Sequence, residues 1–406
     1  MNELWEAHAR VWRDPAEVAT QWADASSVDP RLLRQRARGG WWDTLERAGV
    51  TLLATREYEH LAVSLGVRDG RPQVGFLPVP HPSGLAVDRD RGVAHLASTR
   101  NPNQVYDLAP ATGLLDRPDV EPGDGGWRPL VPLRSRFLPG AMYLHDLALV
   151  GGLLHGNAVG QNAVVELADD GRYRPVWWPR CVDGAEGRPP LLSRNHLQLN
   201  SIAAGPDLAR SYFSASAEEV TWRRPGQRNF PVDGRGVVFA GSTRQPVMRG
   251  LTRPHSARLH GGLLWVANSG YGELVVGPAG GDGEDGYDVV ARLPGWTRGL
   301  CFAGGVAFAA TSRVIPRFRR YAPGLDVDAS VCAVHALDVE TGADLGSLVW
   351  PYGNQVFALD WLPSPLTSGF PFSAGRRGRA RERNLFYGFT TARDCHPSGE
   401  EMTDGP

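Results

Sequence analysis

Histidine and arginine occur at one position of a short segment that recurs along the chain. The segment consists of a polar residue, a mostly small residue, an apolar residue and usually alanine. Its polar residues are, in chain order, Ser83, His145, Asn200, His255, Arg298 and Gln355. Imidazole and guanidinium groups held at one level of a fold could supply acid–base catalysis, metal ligands or a site for an anion. These chemistries depend on whether the fold brings the six segments together.

The segments are typical of the innermost strands of a β-propeller, whose blades are four-stranded sheets around a central axis. Each of the first five is followed by a second apolar strand, predicted at 93–99, 153–158, 211–216, 263–269 and 306–312. The sixth lacks one, but residues 51–56 have the missing pattern and precede strands predicted at 60–67 and 73–78. We predict an all-β, six-bladed propeller closed by strands from both chain ends. A seventh blade could lie between Asp88 and Tyr143.

The two ends of the chain differ from this pattern. Residues 1–49 carry apolar side chains at helical spacing, among them Trp5, Val11 and Trp12, which predicts a helical N-terminal extension. The propeller is predicted over 50–365, followed by a partly flexible C-terminal tail over 366–406. That tail contains a basic, glycine-rich loop at 375–381 and a possible rim strand at 383–389.

Composition limits the partners of the chain. The formal net charge is −1 at pH 7, so neither nucleic acid nor an anionic membrane is expected as a partner. The first residues are charged and lack the apolar core of a signal peptide, and no apolar run is long enough to span a membrane. We therefore expect a cytoplasmic protein.

In the predicted propeller the six polar residues form a ring at one mouth of the channel, above an apolar layer. That layer consists of Leu85, Leu147, Ile202, Ala257, Leu300 and Phe357. The second strands return to the same mouth, where we expect Arg56, Arg100, Asn157, Asn268 and Arg313. With Arg298, these arginines would attract a carboxylate or a phosphate, unless they pair with acids such as Glu57 and Glu273.

A transition-metal ion is one interpretation of the histidines. His145, His196 and His255 could bind Zn, Fe or Cu, because imidazole suits all three metals. Carboxylates are nearly absent from the ring, which argues against calcium. The other interpretation is that these histidines make ordinary hydrogen bonds, which is the commoner role of a histidine inside a channel.

Several boxes in the chain resemble those of an uncharacterised bacterial family of β-propellers. They read His145-Asp146-Leu147-Ala148, Pro254-His255-Ser256, Leu264-Trp265 followed by Ser269-Gly270, and Pro294-Gly295-Trp296-Thr297-Arg298-Gly299. The resemblance covers about residues 50–362 and implies the propeller fold. Where the family has a His-Leu-Asn box, this chain has Gln198-Leu199-Asn200 with His196 two residues earlier. The family has no settled activity to carry over.

The leading functional hypothesis is an enzyme that acts on a small molecule or modified peptide, including an anionic one, at the channel mouth. In it, His145, His255 and Arg298 are catalytic, and the remaining ring and rim residues bind the ligand. An oxygenase, a lyase and a hydrolase are not distinguished, and a lactonase or lyase rests on fold analogy alone. The alternative is a non-catalytic module that binds a peptide or protein partner.

Overall fold

The strands of this chain form six antiparallel sheets. The computed structural model describes residues 28–99, 103–114, 128–138, 142–280, 286–373 and 389–391, with only the backbone of 112–114 and 389–391. Each sheet has four or five strands, and the chain passes through the sheets in sequence. Besides the strands, it contains the helix α1 (Trp41–Ala48) and 3-10 turns at Pro30–Leu33, Glu57–Glu59, Val159–Gln161, Arg180–Val182, Ser269–Tyr271 and Pro316–Tyr321.

The first three sheets lie in the N-terminal half of the chain, apart from two strands contributed from its C-terminal part. The first sheet has, from the axis outward, β25 (Ala358–Pro363), β2 (Val50–Arg56), β3 (Leu61–Arg68) and β4 (Arg71–Pro78). The second has β5 (Pro82–Asp88), β6 (Val93–Ser98) and β7 (Asn103–Leu114), with β8 (Leu130–Leu138) and β26 (Phe389–Thr391) both paired to β7. The third has β9 (Leu144–Val150), β10 (Leu153–Ala158), β11 (Ala163–Leu167) and β12 (Tyr173–Trp177).

The other three sheets follow the same plan. The fourth has β13 (Leu199–Ala203), β14 (Tyr212–Ala215), β15 (Gly236–Ala240) and β16 (Pro246–Leu251). The fifth has β17 (Pro254–His260), β18 (Leu263–Asn268), β19 (Glu273–Pro278) and β20 (Asp288–Arg292). The sixth has β21 (Trp296–Ala303), β22 (Val306–Ser312), β23 (Cys332–Asp338) and β24 (Asp344–Trp350), with β1 (Arg36–Gly39) at its outer edge.

The sheets are the blades of a six-bladed propeller, as the repeats predict. The inner strands β5, β9, β13, β17, β21 and β25 contact one another in that order, and β25 contacts β5 to close the ring. The predicted closure is also confirmed, because β25 pairs with β2 from Val50 opposite Pro363 to Thr55 opposite Ala358. The interval that could have held a seventh blade contains β6, β7 and β8, which belong to the second sheet.

The helical prediction for residues 1–49 does not hold at Arg36–Gly39. These residues form β1, which pairs with β24 from Arg36 opposite Val349 to Gly39 opposite Gly346. The reason is that the outer edge of β24 offers unpaired backbone groups, which an extended segment can bond and a helix cannot. Residues 41–48 do form a helix, α1, and residues 1–27 lie outside the described part of the chain.

Part of the predicted C-terminal tail packs on the first blade. The backbone N–H of Phe370 donates to Ser64 Oγ at 2.8 Å, and Phe372 forms an isolated bridge with Phe76 on β4. Phe370 is buried, so residues 366–373 are a fixed cover on that blade. The basic loop at 375–381 lies outside the described residues, and so does the strand predicted at 383–389 apart from Phe389, where β26 begins.

The small residues of the repeated segments allow neighbouring inner strands to approach closely. A Cβ added to Gly84 would lie only 2.6 Å from the backbone N of Leu147 on the next blade. In the fourth blade the position equivalent to Gly84 holds Ser201. Its Oγ accepts a hydrogen bond from the backbone N of Ala257 on the next blade at 2.8 Å. Apolar and small residues therefore alternate along each inner strand because one face packs the core and the other meets the next blade.

The described helical segments give no membrane span. None of the helices in the residues covered by the structure is long and apolar enough to cross a bilayer.

Candidate functional site

A cavity of about 280 Å³ lies at the channel mouth where the inner strands begin. Five of the residues predicted for the site line it, and they are His145, His255, Arg298, Gln355 and Arg313. Three long connections also contribute side chains, namely those between β12 and β13, between β14 and β15, and between β22 and β23. We refer to this space as the mouth cavity.

The two ring histidines are neighbours across the channel. The ring centroids of His145 and His255 are 6.5 Å apart, and the ring planes are inclined by 27°. The Nδ1 atom of His255 lies 2.8 Å from the carbonyl oxygen of Arg253. Because a carbonyl can only accept, the proton of neutral His255 sits on Nδ1, which leaves Nε2 as a hydrogen-bond acceptor.

Burial and positive charge keep His255 neutral. Loss of solvent contact lowers the pKa of His255 well below its usual range, and the charges of Arg298, His145 and Arg253 lower it further. Since the two imidazoles stack, protonation of one disfavours protonation of the other. The pair can therefore hold one proton more readily than two.

Arg298 is a buried cation that forms no close ion pair among the described residues, although the charge of Glu57 in the same cavity acts on it. Its side chain stacks on Phe357, with Cζ 3.2 Å from the ring centroid, and the residue is 8% exposed. Its Nη2 atom has no hydrogen-bond partner among the described residues. Burial lowers the pKa of Arg298 to about 10, which still leaves the guanidinium charged at neutral pH. Such an arrangement is costly unless something outside the chain completes it.

Arg253 is a second buried cation in the mouth cavity, and the repeats did not indicate it. Its guanidinium lies 4.2 Å from the ring centroid of Tyr321 and donates to Gln198 Oε1 at 2.9 Å. Its Nε atom has no partner in the part of the chain that the structure describes. Burial lowers the pKa of Arg253 to about 10, so this group is also charged.

Arg253 belongs to a second layer of residues, each two positions before a ring residue; in the sixth blade the ring position is held by Phe357, as shown below. We name this the outer layer, and it comprises His81, Tyr143, Gln198, Arg253, Trp296 and Gln355. Four of these residues, His81, Tyr143, Gln198 and Arg253, have positive φ between 39° and 55°. The chain enters each of those inner strands through a left-handed residue, and every member of the layer except His81 lines the mouth cavity. The sequence does contain a signal for this layer, because a polar or aromatic residue stands two positions before each ring residue.

The sixth repeat was aligned two residues too early. Phe357, predicted for the apolar layer, faces the cavity, with its ring centroid 5.5 Å from that of His145. Gln355, predicted for the ring, therefore belongs to the outer layer. The reason is that β25 begins at Ala358, whose N–H donates to Thr55 Oγ1 at 3.0 Å, so Phe357 occupies the ring position of this blade.

Four of the other predicted residues use their polar groups inside the fold and do not line the mouth cavity. Ser83 Oγ donates to the carbonyl of Leu144 at 3.0 Å, and Asn200 Nδ2 donates to that of Pro254 at 2.8 Å. Asn268 Nδ2 donates to Glu273 Oε2 at 2.9 Å. Arg56 is fully buried and donates to the carbonyls of Leu32 at 2.6 Å and Tyr352 at 2.9 Å.

Asn157 and His196 also stay apart from the site. Asn157 is buried, and neither side-chain atom of its amide has a partner in the described ranges, yet it does not line the cavity. His196 does not line it either, and burial and the nearby arginines lower its pKa. Arg100 lies outside the described residues. In those residues, no three histidine, cysteine or acidic side chains come together as a metal site.

The two acids proposed as partners of the arginines have different surroundings. Glu273 pairs with Arg292 at 3.0 Å, away from the cavity. Glu57 lines the cavity, is buried, and accepts from Thr99 Oγ1 at 2.9 Å. The described lining thus holds the cations Arg253, Arg298 and Arg313 and one carboxylate, which makes the cavity electropositive.

Solved structures similar to this chain include several β-propellers. A chain of the nidogen/laminin complex is 11% identical with a TM-score of 0.50, and the match covers 78% of this chain and 99% of that one. A gluconolactonase from Xanthomonas campestris is 14% identical with a TM-score of 0.42, over 67% and 77%. The calcium-binding protein regucalcin from Agrobacterium tumefaciens is 12% identical with a TM-score of 0.40, over 66% and 73%. The nidogen/laminin likeness supports the propeller fold and carries no activity with it.

Family membership follows from the sequence itself. No curated protein matches the chain. A family model described as a domain of unknown function, DUF4915, matches residues 39–368, which span all six blades. This protein is therefore a member of the DUF4915 family, with the six-bladed propeller fold that its repeats predict.

Proposed function

We propose that the mouth cavity binds a small molecule carrying a carboxylate or phosphate, and that the protein acts on this molecule as an enzyme. The observation that carries the proposal is the buried guanidinium of Arg298, whose Nη2 donor has no hydrogen-bond partner among the described residues. A guanidinium binds such anions through charge-assisted hydrogen bonds. Arg253 and Arg313 add positive charge to the same cavity.

The size and walls of the cavity limit the ligand. A volume of about 280 Å³ is at the lower end of the range for ligand pockets, so it suits a small molecule or the end of a longer one. Trp296, Phe318, Tyr321 and Phe357 supply aromatic surface around the arginines. The ligand therefore combines an anionic group with a compact apolar part.

His145 and His255 are the proposed acid–base groups. Neutral His255 offers Nε2 as an acceptor, and a bound anion would offset the positive charges that lower its pKa. His145 lies beside it in the same cavity, with the two ring centroids 6.5 Å apart. The cavity lining supplies acid–base and cationic groups that suit several reactions of an anionic substrate.

A transition metal on His145 and His255 remains a prediction. Neutral imidazoles suit such a role, but the cavity also holds two buried guanidinium groups, whose charge opposes a divalent cation. His196 does not line the cavity, so it is not positioned as a third ligand there. The acid–base assignment therefore has more support than the metal.

Arg298→Met is expected to raise the Tm of the ligand-free protein while abolishing its response to anions. Methionine keeps apolar contact with Phe357 and removes a buried charge, which can stabilise a fold by about 1 kcal/mol or more. The measurement is a thermal-shift screen of small carboxylates and phosphates. At least one compound should raise the Tm of the wild type and leave that of the variant unchanged.

The matched control is Arg172→Met, since Arg172 is exposed and pairs only with Asp170 beside it. It should preserve both the Tm and the ligand response. A wild type that responds to no anion, or a ligand-free Arg298→Met protein whose Tm falls by several degrees, would count against the proposal, because the latter would make Arg298 structural.

Binding of the anion is expected to take up a proton at His255. The negative charge raises the pKa of His255 in the complex, so affinity increases as the pH falls towards that value. Calorimetry in two buffers with different ionisation enthalpies measures the uptake, which should disappear in His255→Gln. Equal proton exchange in both proteins would remove His255 from the assignment.

The alternative is that the protein binds its ligand without transforming it. The same Arg298-dependent binding would then be seen, but the recovered ligand would be chemically unchanged after long incubation. Mass spectrometry of the ligand that responds in the screen, with the wild type and His255→Gln, distinguishes the two functions.

A further inference from the structure

We propose that the natural ligand of the mouth cavity is the C-terminal end of an acidic polypeptide, with its terminal carboxylate on Arg298. This inference rests on the proposed function and names the class of molecule that brings the anion. It is supported by three independent features: unfilled hydrogen-bonding groups in the cavity, an exposed tryptophan beyond it, and the charges around that tryptophan.

The cavity has unfilled groups of opposite hydrogen-bonding character. Nη2 of Arg298 is a donor and Oε1 of Gln355 is an acceptor, both are buried, and neither has a partner among the residues that the structure covers. Both residues line the same cavity. A ligand that satisfies them presents an anionic oxygen and an N–H group together. The last residue of a polypeptide does so, because its carboxylate and its amide N–H are attached to one Cα atom.

The exposed side chain of Trp222 indicates that the ligand extends beyond the cavity. This residue is 92% exposed and lies on the β14–β15 connection, only three positions before Pro225, which lines the cavity. Trp222 itself does not line the cavity, so a molecule contained within it would leave the indole in water. A tryptophan is among the side chains that contribute most to protein interfaces, and one this exposed on a rim loop is suited to a partner.

Arginines surround this rim. Arg223 and Arg228 are exposed on the same connection as Trp222. From the β22–β23 connection, Arg320 donates to the carbonyl of Gly226 at 3.1 Å. The two connections, 216–235 and 313–331, together carry eight arginines and five acidic residues, so this side of the mouth has an excess of positive charge. The charge favours a polypeptide with acidic residues ahead of its terminal carboxylate.

The test compares two pools of fluorescein-labelled peptides in an anisotropy titration. Each peptide begins with two glutamates and continues with four randomised positions; one pool ends in a free carboxylate and the other in a carboxamide. We expect the free-acid pool to bind at least about tenfold more tightly, since the carboxamide cannot form the charged pair with Arg298. Arg298→Met should reduce the free-acid affinity to that of the carboxamide pool.

The role of Trp222 is tested with a matched variant. Trp222→Ala should weaken binding of the free-acid pool by about tenfold or more, whereas Phe137→Ala should not, although Phe137 is also an exposed aromatic residue at 61%. Equal affinity of the two pools, or no effect of Trp222→Ala, overturns the inference. If small anions still raise the Tm of the wild type in that case, the proposed function stands without the polypeptide. If no anion of any size binds, both fail.

Discussion

Replacing Arg56 with alanine is expected to lower the free energy of unfolding by about 3–5 kcal/mol, the usual effect of removing one partner from a buried charged cluster. Arg56 donates to the carbonyls of Leu32 and Tyr352 and lies 3.9 Å from the carboxylate of Glu59. Its guanidinium also packs 5.0 Å from the ring centroid of Trp350. The variant leaves two carbonyls and a buried carboxylate without their cation.

The measurement is the thermal or urea-induced unfolding transition of Arg56→Ala beside the wild type. Arg31→Ala is the control, because Arg31 forms an exposed, solvent-screened pair with Asp29 and should leave the unfolding transition almost unchanged. A loss of stability for Arg56→Ala that is no larger than the control's would show that Arg56 does not hold the N-terminal segment to the ring. Arg56 would then be open again to a role at the mouth.

Asp107→Asn is expected to lower stability by about 3 kcal/mol or more at neutral pH. Asp107 on β7 accepts from His95 at 2.6 Å, from Arg134 Nε at 2.7 Å and from Arg136. Burial alone would raise the pKa of Asp107, but the hydrogen bond and charge of His95, the charge of Arg136 and the hydrogen bond of Arg134 lower it well below its ordinary value. The asparagine variant leaves Arg134 and Arg136 without their shared anion.

The effect of Asp107→Asn depends on pH in a defined direction. Since the pKa of Asp107 is lower in the folded state than in the unfolded state, its contribution is complete above the unfolded value near 3.9 and is lost as the pH falls below it. The stability difference between wild type and variant should therefore be largest at neutral pH and narrow below about pH 4. Asp169→Asn is the control, because that carboxylate also contacts Arg134 but is 75% exposed. A difference that stays constant between pH 7 and pH 3 would contradict the assignment.

The fold could be predicted because the inner-strand segment repeats along the sequence. Six copies of one segment and a displaced second strand at 51–56 determine both the blade number and the closure by β25 and β2. The pairing of His145 with His255 follows from the same symmetry, since equivalent strand positions meet at the axis. Where periodicity was weaker, at Gln355 and Phe357, the alignment shifted by two residues, because a polar residue and an apolar one fit the pattern in either register.

The content of the site could be predicted only in part. A polar residue type does not reveal whether its hydrogen bonds are made inside the fold, as with Ser83 and Asn268, or left for a ligand, as with Arg298. Arg253 escaped prediction because its position depends on a left-handed backbone conformation just before β17. The long connections that carry Trp222 and Tyr321 follow no repeat, so only the three-dimensional structure places them at the mouth.

The closure of the ring also sets the order in which the protein can be completed during synthesis. Thr55 on β2 pairs with Ala358, which lies 303 positions later in the chain. A nascent chain still attached to the ribosome therefore exposes the inner edge of its first blade until β25 has been synthesised. An unpaired strand edge is prone to aggregation, so we expect a chaperone to bind at this edge. Stalling of the ribosome before β25 is made would prolong its exposure.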